Sequence, residues 1–146
     1  MSLMRDSRTA FTIALALFWL AATNCGGSAT APFFGSCTGP VTVTVTAGVT
    51  PRFDWQPACR AHFFDVQYED PMPPDAIAGV PVWYVQSMGQ TGSTFGPGFQ
   101  YGKLPNGGQS QMSANPLIVG QRYQARVWRE DGPQNATLAG QVVFVP

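Results

Sequence analysis

Hydrophobic and polar residues alternate along much of the chain after residue 37. Residues 38–46 (TGPVTVTVT) alternate valine with threonine, which puts the valines on one face. Successive side chains of a strand point to opposite faces, and β-branched residues disfavour a helix, so this segment predicts a half-buried strand. Residues 52–56 (RFDWQ) repeat the pattern and predict a second strand with Phe53 and Trp55 facing the core.

Four later segments predict further strands. They are residues 61–69, 80–86, 121–128 and 138–145. In the second of these, Pro81 favours an edge position because proline cannot donate to a ladder. The pattern there places Val82 on the same face as Tyr84 and puts Trp83 on the opposite face.

A glycine-rich stretch separates these strands into two groups. Residues 87–113 hold seven glycines, two prolines and a single charged residue, Lys103. Pro105 to Gly108 (PNGG) is typical of a tight turn, and it predicts a short hairpin over residues 99–112. No window after residue 25 has helical periodicity, so about seven short strands predict an all-β fold, a single antiparallel β-sandwich.

The N-terminus has the layout of an export signal. Arg5 and Arg8 precede an apolar run over residues 10–22, and thirteen helical residues span about 20 Å, less than the roughly 30 Å of a bilayer core. This layout predicts a cleaved signal peptide. The alternative is a retained hydrophobic helix over residues 9–26, which would cross a thinned bilayer and anchor the chain.

The segment after the apolar run resembles a bacterial lipoprotein signal. It reads ATNCGGS over residues 22–28. The resemblance implies that Cys25 is lipidated and becomes the mature N-terminus. The expected organisation is then a signal peptide or membrane anchor over residues 1–25, a flexible tether over residues 26–37 and a β-sandwich over residues 38–146, with the glycine-rich insertion at about 87–113.

The three cysteines favour an exported protein. If Cys25 carries lipid, Cys37 and Cys59 remain as an even pair, and an oxidising compartment lets them form a disulfide. The alternative, a cysteine-based metal site, lacks ligands because there is no CxxC motif and His62 is the only histidine. We therefore expect a Cys37–Cys59 bond.

Three short segments resemble the fibronectin type III or a closely related immunoglobulin-like domain. Residues 53–57 (FDWQP) resemble the second strand of that family, residues 64–68 (FDVQY) the third, and residues 117–127 (LIVGQRYQARV) its Leu-x-x-Gly-x-x-Tyr-x-x-x-Val stretch. The resemblance implies that Trp55 lies in the core. It also implies that Tyr123 forms a corner, in which its hydroxyl bonds a backbone group upstream.

Composition and charge exclude several classes of partner and chemistry. Charged residues make up 11% of the chain, and eight basic residues balance eight acidic ones, so we expect no attraction to nucleic acid. No motif for catalysis or phosphate binding occurs, which predicts a non-catalytic protein without cofactor or metal. Carboxylates at Glu69, Asp70 and Asp75, with a second pair at Glu130 and Asp131, leave calcium binding as an alternative.

Two sets of residues are candidates for contact with a partner. The first is aromatic: Trp83, Phe95, Phe99 and Tyr101, which either form a surface for a protein or a glycan or pack in the core around the long loop. The second lies on one face of a strand: Arg122, Gln124, Arg126 and Trp128, which either stack on one another through cation–π contacts or bind a partner.

Together these patterns predict a membrane-tethered domain of the bacterial cell envelope. It would face the periplasm or the exterior and bind a protein or a glycan partner. The alternative is a structural accessory subunit of a larger membrane complex, anchored by an uncleaved N-terminal helix.

Overall fold

Eight β-strands and no helix make up the part of the chain that the structure describes, residues 34–88, 92–132 and 135–146 of a computed structural model. The lipidation candidate Cys25, the signal or anchor segment and most of the expected tether lie outside these residues. The strands are β1 (Thr42–Val45), β2 (Arg52–Gln56), β3 (Phe63–Tyr68), β4 (Pro81–Ser87), β5 (Phe99–Gln100), β6 (Gly108–Met112), β7 (Tyr123–Glu130) and β8 (Ala136–Phe144).

The strands form two antiparallel sheets. One has three strands in the order β1-β2-β5, and the other has five in the order β6-β4-β3-β7-β8. The described residues therefore form a β-sandwich-like fold, as the alternating pattern predicts. Val41 N–H donates to the carbonyl of Ala139 at 2.9 Å and joins the start of β1 to the edge of the larger sheet.

Aromatic side chains fill the space between the sheets. Phe53 and Trp55 on β2 are both 0% exposed, and the Phe53 ring lies 4.8 Å from the ring of Phe64 on β3. The indole N–H of Trp55 donates to the carbonyl of Cys59 at 2.9 Å, which satisfies a polar group that burial would otherwise leave unpaired. Trp55 is thus a core residue, as expected.

Tyr123, the first residue of β7, is buried in the core. It is 0% exposed, and its hydroxyl accepts a 2.9 Å hydrogen bond from the backbone N–H of Ile118, five residues upstream. The pKa of this phenol is raised overall. Burial is the main cause, the hydrogen bond to Ile118 opposes it, and the nearby Tyr68 adds to it. The expected corner hydrogen bond is therefore present.

A disulfide joins Cys37 to Cys59 across 22 residues of sequence. Both cysteines are buried, and Ser36 forms a bridge with Arg60 beside them. The expected disulfide is therefore seen. Residues 34–37, which we expected in the tether, instead pair with the sandwich.

Two details of the strands differ from the sequence prediction. β4 lies between β3 and β6 and is not an edge; Pro81 is tolerated because it is the first residue of its strand. Val82 is buried rather than sharing the face of Tyr84, because the register with β3 shifts between Val66 and Gln67.

The predicted hairpin over residues 99–112 is wrong, although its turn is present. Gly108 N–H donates to the carbonyl of Pro105 at 3.0 Å. However, β5 pairs with β2 and β6 pairs with β4, so the two strands belong to different sheets. The aromatic residue Phe99 is drawn into the core opposite Phe53, and this contact outweighs local pairing across the turn.

Candidate functional site

The outward surface of the five-stranded sheet carries a group of aromatic side chains around one ion pair. Its members come from four neighbouring strands, because alternate residues of β3, β4, β6 and β7 point away from the core. We call it the aromatic face. It consists of Phe63, Asp65, Tyr84, Met112, Arg126 and Trp128.

The ion pair lies at the centre of the aromatic face. Asp65 and Arg126 are directly opposite each other in the register of β3 and β7. The guanidinium donates from Nε to Oδ1 at 2.8 Å and from Nη2 to Oδ2 at 2.5 Å. Asp65 is only 5% exposed, so this bidentate salt bridge compensates for the hydration that its carboxylate loses on burial.

Trp128 holds the other side of the guanidinium. The Cζ atom of Arg126 lies 5.1 Å from the centroid of the Trp128 ring, within the range of a cation–π contact. Of the two alternatives for this strand face, stacking is therefore seen for Arg126 and Trp128, and it leaves partner binding open. Arg126 is fixed by a carboxylate and by an indole, which limits the conformational entropy that it can lose when a partner binds.

Two further rings lie beside the ion pair: Tyr84 is directly opposite Asp65 in the register of β3 and β4, and Phe63 lies two residues before Asp65 on β3. Phe63 faces Trp128 across the ladder, and its ring centroid lies 5.7 Å from that of Tyr84. Burial, and secondarily the charge of Asp65, raises the pKa of Tyr84. Tyr84 is therefore a neutral phenol at physiological pH and keeps an O–H group that can donate to a partner.

These side chains border a shallow, open groove of about 490 Å³. The groove is lined almost entirely by apolar atoms. Its lining residues are Phe63, Asp65, Pro81, Tyr84, Met112, Trp128 and Ala136. None of them is a lysine or a glutamate, and the one carboxylate is already neutralised by Arg126.

The first set of predicted partner residues lies in the core. Trp83, Phe95, Phe99 and Tyr101 are 1%, 0%, 7% and 7% exposed. Trp83 and Tyr101 pack with ring centroids 5.0 Å apart, and the Tyr101 hydroxyl donates to the carbonyl of Asn115 at 2.6 Å. These four side chains therefore pack in the core, which was the alternative to a binding surface, and Phe95, Phe99 and Tyr101 attach the glycine-rich stretch to that core.

The second predicted set is divided. Arg126 and Trp128 belong to the aromatic face, whereas Arg122 is exposed just before β7 and does not line the groove. Sequence reasoning missed Phe63, Tyr84 and Met112 as members of one surface. Alternation along residues 61–69 places Phe63 and Asp65 on the face opposite Phe64 and Val66, but it does not show which strands lie beside them.

Two negative findings apply to the described residues. Within residues 34–88, 92–132 and 135–146, no three His, Cys, Asp or Glu side chains come together in a way that could hold a metal ion. Over the same ranges there is no helix with the length and apolar character needed to cross a membrane.

Comparisons of the chain with protein-family models, with curated proteins and with solved structures found no match.

Proposed function

We propose that this chain is an exported, non-catalytic domain that is tethered to a membrane of the bacterial cell envelope and binds a protein partner through the aromatic face. The proposal depends on one observation: an outward sheet surface presents Phe63, Tyr84 and Trp128 around a neutralised Asp65–Arg126 pair.

The composition of this surface favours a protein partner. Aromatic residues, methionine and arginine are enriched where proteins bind one another, and lysine and glutamate are depleted there. The groove follows that pattern, because three rings and Met112 line it and no lysine or glutamate is among its lining residues. Because Asp65 and Arg126 already satisfy each other, covering them leaves neither charge unpaired.

A fibronectin type III-like domain is the fold that we propose for residues 38–146. Two features support it: the division into sheets of three and five strands, and the hydrogen bond from Ile118 N–H to the Tyr123 hydroxyl. Domains of this architecture bind many unrelated partners, so the surface residues and not the fold specify the partner.

The envelope location is proposed from the N-terminal sequence and from the disulfide. Residues 10–22 have the apolar character of an export signal, and Cys25 is the proposed lipidation site. The Cys37–Cys59 bond supports an oxidising compartment, because disulfides rarely persist in the bacterial cytoplasm.

The test is recovery of partners from the native membrane in mild detergent. We expect wild-type chain to co-purify with a defined protein, and the double substitution Tyr84→Ala and Trp128→Ala to lose that protein. Val49→Ala is the matched control, since Val49 is 51% exposed on a loop outside the aromatic face. Equal recovery with the double variant would contradict binding through this face.

The mass of the purified chain separates the two forms of the proposal. A chain that begins at Cys25 and carries lipid is the tethered lipoprotein. An unprocessed chain that arrives with a large assembly is instead an accessory subunit anchored by its N-terminal helix.

A further inference from the structure

Two loops at one end of the sandwich present aliphatic side chains to solvent. Tyr68 at the end of β3 pairs with Tyr123 at the start of β7, so the loops over residues 69–80 and 113–122 lie at the same end of the larger sheet. Ile77 is 69% exposed and Val119 is 74% exposed. Turns normally carry polar residues or glycine at such positions, so exposed aliphatic residues in two adjacent turns require an explanation.

Hydrogen bonds hold these two loops together. Gln121 Nε2 donates to the carbonyl of Pro71 at 2.7 Å, which connects one loop to the other. Within the loops, Val80 N–H donates to the carbonyl of Ile77 at 3.2 Å, and Gln121 N–H donates to that of Ile118 at 3.1 Å. The exposed aliphatic side chains are therefore carried by preformed turns, which reduces the entropy that binding would cost.

A cleft of about 270 Å³ opens beside these turns. Its lining combines aliphatic walls, one aromatic ring and polar groups. The lining residues are Tyr68, Asp75, Ala76, Ile77, Val80, Pro81, Val82 and Asn115. The Tyr68 ring is stacked on Tyr123 at 5.2 Å, so this wall of the cleft is fixed to the core.

The charge around the cleft is acidic. The two loops together carry three carboxylates, Glu69, Asp70 and Asp75, and one cationic side chain, Arg122. Asp75 lines the cleft itself and is exposed to solvent. This combination matches a lysine or arginine side chain, whose apolar stem packs on aliphatic surface while its charged head meets a carboxylate and the face of an aromatic ring.

We propose that this cleft is a docking site for a protein segment that inserts a lysine or arginine side chain flanked by apolar residues. The apolar neighbours of the inserted side chain cover Ile77 and Val80, and its cationic head meets Asp75. The site is separate from the aromatic face: Pro81 is the single lining residue that the cleft and the groove share among the described residues.

The test uses the isoleucine methyl groups of the full-length chain in a lipid nanodisc. Isoleucine occurs three times: Ile77 lines the cleft, Ile118 lies on the adjacent loop, and Ile13 lies in the N-terminal apolar run. The probe is an acetylated, amidated pentapeptide with one arginine between two valines and a glycine at each end. We expect a saturating shift of the Ile77 methyl signal in NMR spectra, with no change at Ile13 in a chain that retains its N-terminal segment.

A second peptide and two variants test the role of charge. Citrulline has the shape of arginine without its charge, and a citrulline peptide should bind more weakly. Asp75→Asn should lower the affinity for the arginine peptide about two- to fivefold, as expected for one partly exposed ion pair. Asp70→Asn is the matched control, since it removes the same charge from the same loop outside the described lining of the cleft, and it should have less effect.

Three results would overturn the proposal. The first is the absence of a saturating Ile77 shift, and the second is equal binding of the arginine and citrulline peptides. The third is a shift of the Ile77 and Ile118 signals without peptide. If that shift depends on added phosphatidylglycerol vesicles, this end of the sandwich contacts lipid. If it depends on protein concentration, this end contacts a second copy of the chain.

Discussion

The ion pair at the centre of the aromatic face allows a quantitative prediction about stability. Among the described residues, Asp65 accepts side-chain hydrogen bonds from Arg126 alone. Arg126→Met would remove both bonds. The Asp65 carboxylate, which is 5% exposed in the wild type, would then have no counter-charge. Breaking one side of a buried pair costs roughly 3–5 kcal/mol. The Arg126 side chain is 21% exposed, so water can partly replace it in the variant. We therefore expect the free energy of unfolding to fall by about 2–4 kcal/mol.

A double-mutant cycle separates this effect from loss of packing. Asp65→Asn combined with Arg126→Met removes both charges, and it should recover part of the loss, with a coupling energy of about 1.5 kcal/mol or more. The assay is urea unfolding at pH 7 followed by circular dichroism, with the slope of the transition checked for constancy. Arg122→Met is the control and should change stability by no more than about 0.5 kcal/mol.

Either of two results would refute this reasoning. One is a loss below about 1 kcal/mol in Arg126→Met, well under the range for a broken buried pair. The other is strict additivity of the two single substitutions, which would mean that Asp65 and Arg126 do not stabilise each other.

Three further predictions concern the core. Reduction of the Cys37–Cys59 bond should lower the free energy of unfolding by about 3 kcal/mol, because its ends are 22 residues apart; an unchanged melting temperature in reducing agent would argue against a structural role. Trp55→Ala and Tyr123→Ala, each at a fully buried site, should each cost about 3–5 kcal/mol in urea unfolding, and melting near that of the wild type would contradict their placement. Burial first, and then nearby tyrosines, raises the pKa of Tyr101, so Tyr101 ionises at lower pH in the unfolded state than in the folded state. The free energy of unfolding should therefore be constant near neutral pH and fall above about pH 10, and it should fall less steeply in Tyr101→Phe. An equal fall in that variant would disprove the contribution of Tyr101.

Local alternation was sufficient to predict most strands and their faces. Phe53, Trp55, Phe64 and Val66 point inward as the pattern predicts, because the period of two is a property of each strand by itself. The disulfide was predictable as well, because Cys37 precedes the first strand, Cys59 follows the second, and lipidation of Cys25 in an exported protein leaves these two thiols as the even pair.

Non-local contacts explain what the sequence could not predict. Whether residues 99–112 form a hairpin or divide between two sheets depends on the competition between a tight turn and burial of Phe99 and Tyr101 against distant strands. The inward position of Val82 arises from a register shift against β3, which no pattern within β4 contains. Local sequence does not encode either effect.

The same limit applies to the candidate site. Sequence spacing placed Arg126 and Trp128 on one side of a strand, and their stacking followed from that spacing. The aromatic face also needs Asp65 and Tyr84, which lie 61 and 42 residues away from Arg126 in sequence and adjoin one another through strand pairing. A surface composed of four strands becomes visible only when their order and register are known.

The central claim is a membrane-tethered domain that binds a protein through the aromatic face, and native mass spectrometry of the chain released from its own membrane tests it most directly. We predict a chain that begins at Cys25, carries lipid and is bound to a second protein in fixed stoichiometry, with that protein absent when Tyr84 and Trp128 are replaced by alanine. A wild-type chain that leaves the membrane without lipid, without an N-terminal helix and without any bound protein would contradict the claim.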